Sequence, residues 1–231
     1  MPVPRGQDHR SRVARERRQR TRTLLIESAL TVYAAQGLQG SVIDRVIETA
    51  GVSRGTFYNY FRDGEALLAA LALEVSDQVL GIVDPAVRTH EDPAARIATG
   101  VRLVLAVAGA HPQLAAFMVR GGVRAIGGQG LAVDYLVRDL SAGIASGAFD
   151  GVDLRVAVDL VTGSVLAGCD TLLAAEAPRG YAGALAAMLL MALGVPATRA
   201  RSVALRPLPE PDIPRDSLFV RAATLAASPA R

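Results

Sequence analysis

The sequence predicts an all-α fold, and three observations point to it. Alanine, leucine and valine dominate, whereas aromatic residues make up only 4% of the chain, so strand-favouring side chains are scarce. Apolar residues recur at spacings of three and four along segments that glycine or proline closes. Two of the earliest segments are joined by a short turn around Gly51, the layout of a helix-turn-helix. A chain of 231 residues with 51% apolar content supports one domain or two small ones with a real core. It is too apolar to be a disordered tail.

The first 22 residues hold eight arginines against Asp8 and Glu16, a net of +6, which leaves −3 on the remainder of a chain whose total is +3. A basic head on a mildly acidic body is the electrostatic footprint of a nucleic-acid binder. All 25 basic residues are arginine, whose planar fork suits phosphate. Residues 1–13 read as a flexible basic arm, disordered until DNA is present. Ala14 to Gln36 reads as the first helix, closed by Gly37.

Ser41 to Ala50 reads as the second helix, with Val42, Ile43, Val46, Ile47 and Ala50 as its apolar positions. Gly51 then falls where a helix end needs positive φ. Ser53 is a good N-cap for the third helix, able to accept from the N–H of Gly55 or Thr56. Phe57 and Phe61 lie four apart and anchor that helix in a small core. Arg54 and Tyr58 share another face, as do Thr56 and Tyr60, and these can meet phosphate, a guanine edge or a thymine methyl. Gly55 costs about 1 kcal/mol of helix propensity relative to alanine, which makes sense where a sugar-phosphate backbone approaches closely. The second helix of such a pair enters the major groove.

A fourth helix begins near Asp63-Gly64 and runs through Leu80 to about Val83, linking head to body; its N-terminus can offer N–H groups to phosphate. Pro85, Asp92-Pro93, His111-Pro112, the glycines Gly121, Gly122, Gly127, Gly128 and Gly130, and Gly147 to Gly151 punctuate the chain beyond that helix. Between them lie the helical segments Pro93–Ala110, Gln113–Arg120, Leu131–Ser146, Asp153–Glu176 and Arg179–Leu193. The expected domains are therefore a helix-turn-helix unit over 14–68, a helical body over 69–205, and a Pro-rich tail over 206–231. The tail either lies against the body or is partly disordered. Val156 to Ala177 carries Gly163, Ala167 and Gly168 among larger apolar residues, and Tyr181 to Leu193 is nearly all Ala, Leu, Met and Gly. A helix apolar all round needs partners on every side. A homodimer supplies them through a four-helix interface, with Leu185 and Leu189 on the expected face; an intrachain core is the alternative.

The stretch from Arg20 to about Leu68 resembles the N-terminal domain of the TetR family of one-component bacterial transcription regulators. The matching residues are Leu24 to Ala29, Tyr33 to Gly37, Ser41-Val42 and Ala50 to Phe61. Arg54 stands where lysine is frequent in that family and Tyr60 where histidine is frequent, and Asp44 to Thr49 lacks the usual Ile-Ala pair. Beyond about residue 70 the likeness is one of layout. The resemblance implies DNA contacts from Ser41, Ser53, Arg54, Gly55, Thr56, Tyr58, Asn59 and Tyr60. It also implies a dimer and a body that encloses a small-molecule pocket. Candidate lining residues are Val101, Arg102, Leu105, Phe117, Met118, Tyr135 and Cys169, with His111, Arg120 or Arg124 as further polar contacts. Few aromatics suit an aliphatic or small amphiphilic ligand better than a planar drug. The implied function is a regulator, by default a repressor, released from its double-stranded operator by an effector.

Enzyme chemistry finds no foothold. The histidines His9, His90 and His111 lack metal-ligand spacing, and neither a P-loop nor a hydrolase or metalloprotease motif occurs. No cofactor or metal is expected. The glycines between 121 and 130 read as a helix connection. Cys169 is the only cysteine, so no intramolecular disulfide forms, and it reads as a core thiol. No secretory h-region and no apolar run of membrane-spanning length is read, so a cytoplasmic protein without a membrane partner is expected. The rival reading is an architectural or cell-division DNA-binding protein with the same head, which would occupy many chromosomal sites rather than a few promoters.

Overall fold

The computed structural model describes residues 5–37, 42–122 and 131–227. Eleven helices and no strand occur among them. Helix α1 spans Arg5–Gln36 and so runs back through most of the expected basic arm. Its first turns are rich in Arg, a good helix former. Gly37 ends it at φ +71, with its N–H on the carbonyl of Tyr33 at 2.8 Å. Helices α2 (Val42–Ala50) and α3 (Arg54–Tyr58) complete the head. Its core joins Leu25, Ile26, Ala29 and Leu30 of α1 to Val46, Phe57, Phe61 and Leu67, all buried.

Helix α4 (Gly64–Val87) leaves the head capped by Asp63, whose carboxylate accepts from the Ala66 N–H at 2.7 Å. It does not stop at Pro85. Proline there removes the bond to the carbonyl of Gly81, but both residues face solvent, so water can take the place of the lost donor. Helix α5 (Pro93–Ala110) is the axis of the body, with α4, α7 (Leu131–Ala145), α8 (Leu154–Leu173), α9 (Tyr181–Ala192) and α10 (Ala197–Ala204) packed around it. Helix α6 (Pro112–Gly121) lies between α1 and α8 and ties head to body. The glycine connection expected around Gly127, Gly128 and Gly130 lies outside the described residues.

Three of the described glycines permit close approach, and at Gly143 a Cβ would collide with the Phe149 ring. A Cβ on Gly168 of α8 would come within 2.8 Å of Leu105 on α5 and 3.3 Å of Leu185 on α9. Gly194, at φ +87, would bring one within 2.7 Å of the Asp150 carbonyl. Gly168 thus serves packing within the chain, whereas Gly163, five residues earlier on α8, faces open space.

Among the described residues, three helices are long and apolar enough to cross a membrane by length and composition, contrary to the expectation from the sequence, where charged residues interrupt the runs. Helices α4 and α5 bury 50% and 56% of their apolar windows inside the fold, but α8 buries only 28%. The tail lies against the body. Leu208 and Ile213 pack on the core, and a last helix, α11 (Leu218–Ala227), inserts Leu218 and Phe219 beside α1, α4 and α6. Arg221 pairs with the largely buried Glu27 of α1, and the Leu218 N–H donates to Oε1 of Gln78 at 2.7 Å. Helices α10 and α11 were not legible as helices in the sequence.

Candidate DNA-binding surface and ligand cavity

The turn between α2 and α3 is built as its residues dictate. Gly51 sits at φ +61, its N–H on the carbonyl of Glu48 at 3.1 Å, and Val52 N–H reaches back to Ile47 at 3.2 Å. This pair of bonds closes α2 in a Schellman motif. Ser53 then caps α3, its Oγ accepting from the Thr56 N–H at 3.0 Å and lying 2.8 Å from Thr56 Oγ1. Phe57 is fully buried and Phe61 nearly so, their rings 6.0 Å apart. That anchor turns the opposite side of α3 outward: Arg54, Tyr58 and Asn59 are exposed, Thr56 and Tyr60 half-buried. Gly55 is exposed, and the nearest atom to a Cβ there is Ser53 Oγ at 3.9 Å, so the surface above it is open to a backbone. Ser41 lies outside the described residues.

Residues of α1 complete this surface. Arg17, Arg18 and Thr21 line one cleft with Thr56, Asn59 and Tyr60, and the Arg18 guanidinium lies 5.9 Å from the Tyr60 ring centroid. Ala14, Arg17, Arg18 and Thr21 share a helical face, and that spacing, inside the first helix as read from the sequence, was the signal that could have marked the two arginines as partners of α3. Arg54 is paired with Asp44 of α2, both largely exposed, so a phosphate must compete with that carboxylate. Arg54→Ala or Tyr58→Ala should weaken DNA binding with the fold intact, as judged by circular dichroism. A lost phosphate contact lowers affinity on all sequences and the salt slope by about one unit. A lost base contact instead relaxes one operator position by about 1–3 kcal/mol. Full affinity in both variants would remove these side chains from the interface.

The second feature is a cavity of about 160 Å³ between α4, α5, α7 and α8. Of the residues expected to line a pocket, Val101, Met118 and Tyr135 do so. The others lie elsewhere. Arg102 donates to the carbonyl of Arg206 at 2.8 Å. Leu105 is buried beside Gly168, and Phe117 is buried with its ring 6.2 Å from that of Tyr33. Cys169 is buried, which pushes its thiol up to about 11 and leaves it protonated and inert. His111 packs its ring 5.6 Å from that of Phe219, and burial holds it below the usual histidine range. Arg120 is exposed beside Gly37, and Arg124 lies outside the described residues.

Sequence reasoning missed the polar end of this cavity, formed by Asp84, Arg96, Arg138 and Asp139. Asp139 is buried and bidentate to Arg138, through Nε at 2.9 Å and Nη2 at 3.0 Å, with Arg96 Nη1 at 3.4 Å. Hydrogen bonding to Asp139 pushes the Arg138 guanidinium up, so it stays charged. Its plane lies 4.3 Å from the Tyr135 ring centroid.

A helix-turn-helix head joined by one long helix to a body that holds a cavity is the plan of a DNA-binding regulator with a ligand-responsive domain. Comparison with known proteins agrees. Residues 25–71 match the model described as bacterial regulatory proteins, tetR family, and residues 92–206 match the tetracyclin repressor-like C-terminal domain. The transcription regulator RutR of Escherichia coli K12 is 30% identical over 118 residues, 51% of this chain and 54% of RutR. The transcriptional repressor AcnR of Corynebacterium diphtheriae is 36% identical over 59 residues, 26% of this chain and 31% of AcnR. The chain thus spans about half or less of the length of these two relatives. The crystal structure of RolR with its ligand resorcinol superposes with a TM-score of 0.67 at 32% identity, covering 85% of this chain and 99% of RolR. The chain belongs to the TetR family.

Proposed function

We propose that this chain is a one-component transcription repressor of the cytoplasm, which holds a near-palindromic operator as a homodimer and releases it when a small molecule fills the cavity. The observation that carries the reading is the course of α4. Its first residue, Gly64, accepts from the Tyr33 hydroxyl at 3.2 Å and lies beside Ile43 of the head. Farther along, Val75, Val79, Val83 and Asp84 of the same helix line the cavity. A ligand that shifts the far half of a rigid helix shifts the head attached to its start. It changes DNA affinity only by its differential affinity for the two arrangements. The resorcinol bound by RolR supports a small organic molecule as effector.

The test is to recover the genomic fragments that the purified protein retains and to footprint them. A few promoter sites with inverted half-sites support the reading. Dense occupancy along the chromosome would favour an architectural protein instead. The basic start of the chain carries another expected result. Deleting residues 1–13, which removes Arg5, Arg10 and Arg12, should lower operator affinity with little change in sequence preference. The log–log salt slope should flatten by about 0.9 for each arginine that meets a phosphate. An unchanged slope across a salt series would remove this segment from the interface.

A further inference from the structure

The chemistry of the cavity is uneven. Its walls are aliphatic, with Val79, Ile97, Val104, Leu136 and Val161 among them, while its charged groups gather where Asp84 meets Arg96, Arg138 and Asp139. Among the lining residues two carboxylates face two guanidiniums, so the formal charge inside the cavity cancels; Arg88, which pairs with Asp84 from outside, is solvent-exposed and does not line it. Asp139 has its hydrogen bonds. Asp84 does not: its Oδ1 is buried and accepts no hydrogen bond from any described residue. Arg138 Nη2 approaches that oxygen only to 3.6 Å, and Arg88 Nη1 lies 3.8 Å from the other oxygen. A buried carboxylate oxygen with no donor is costly, and a ligand that supplies the donor gains what the apo protein lacks.

We propose that the effector is a small uncharged molecule, about one six-membered ring in size, whose hydroxyl group donates to Oδ1 of Asp84. This rests on reading the cavity as the effector site. The size comes from the volume: about 160 Å³ here, against the cavity of roughly 150 Å³ that takes up benzene. The lack of charge comes from the balanced cluster, since an anion or a cation would enter an aliphatic chamber with no counter-charge left for it. The hydroxyl matches the unmet hydrogen-bonding need of that oxygen, which is an acceptor. An ether of the same shape fills the space and leaves Asp84 as it was. Because Asp84 sits on α4, the bond that selects the ligand forms on the helix that carries the head.

The test is isothermal titration of the full chain with phenol, catechol, anisole, benzoate and benzylamine. Phenol and catechol should bind, with anisole, benzoate and benzylamine at least about tenfold weaker. Asp84→Asn should weaken phenol by about tenfold and narrow or reverse its advantage over benzoate, because the cluster then carries a net positive charge. Anisole or benzoate binding the wild type as tightly as phenol overturns the proposal. So does an Asp84→Asn protein that keeps full affinity for phenol. If that variant does not fold, the wild-type series still decides. Operator binding by the wild type, measured alongside without ligand, separates the two readings. A protein that holds its operator and takes up neither phenol nor catechol refutes this inference alone. One that takes up phenol with the stated selectivity but binds no DNA refutes the regulator reading and keeps the Asp84 anchor.

Discussion

Phe57→Ala is expected to disable the head by unfolding it, not by removing a DNA contact. The ring is fully buried, edge-on to Tyr58 at 5.4 Å and 6.0 Å from Phe61. It is the largest buried side chain that α3 contributes to the head core, and α3 is only five residues long. So short a helix has no stability of its own and is held by this anchor, the Ser53 cap and the Gly51 turn. Truncation removes the transfer free energy of the ring and leaves a cavity, together about 3–5 kcal/mol. Against a total stability of about 5–15 kcal/mol for a typical domain, that is a large share. Circular dichroism melting should show a lowered or divided transition, and operator binding should disappear well below the temperature at which the wild type loses it. The contrast with Tyr58→Ala is diagnostic. Tyr58 is 48% exposed, so its loss should leave the melting curve nearly unchanged while lowering affinity. An unchanged melt and full operator affinity in Phe57→Ala would refute the anchor.

The difference between these neighbouring residues was legible in the sequence because everything that sets it is local. Positive φ at Gly51, the cap at Ser53 and the four-residue spacing of Phe57 and Phe61 involve bonds within one or two turns. The cavity was not legible for the opposite reason. Arg96 and Asp139 are 43 positions apart and meet only through the packing of α5 on α7. Periodicity identifies a buried helix face but not whether it faces a neighbour or an empty space. Leu105 and Phe117, expected in the pocket, are core, whereas Val101 and Met118 border the cavity. Local breakers and charge mislead at two places. Pro85 does not end α4, because its missing donor falls on the wet side of the helix. The basic start of the chain is helical from Arg5, since arginine-rich sequence has good helix propensity as well as charge.

The proposed dimer makes the other large prediction, and the fold changes where it should be tested. Leu189 is 3% exposed within one chain, and Leu185 packs toward Gly168, so charge at either would unfold the protomer before it tested an interface. The outward position of α9 is Met188, at 62% exposed. On α8, Val156 is 60% exposed and Leu173 38%, with Gly163 between them open to space. An apolar helix pair left this bare costs free energy in water, roughly 25 cal/mol for each Å² of apolar surface. A second copy that lays α8 and α9 against the same pair covers it by a two-fold, isologous contact. Met188→Asp and Gly163→Arg should therefore give folded monomers with wild-type helix content, because neither site is packed within the chain, but with a lower melting temperature, because the stabilisation that the second copy supplies is lost. Loss of the second half-site contact should reduce operator affinity by at least about 100-fold, leaving the weak, salt-sensitive binding of a single head. In the wild type the half-sites should lie about 34–36 Å apart or a multiple of it, set by the two α3 helices. Light scattering at micromolar concentration decides the matter first: a wild-type monomer that still binds one promoter tightly would remove the dimer and the palindrome together.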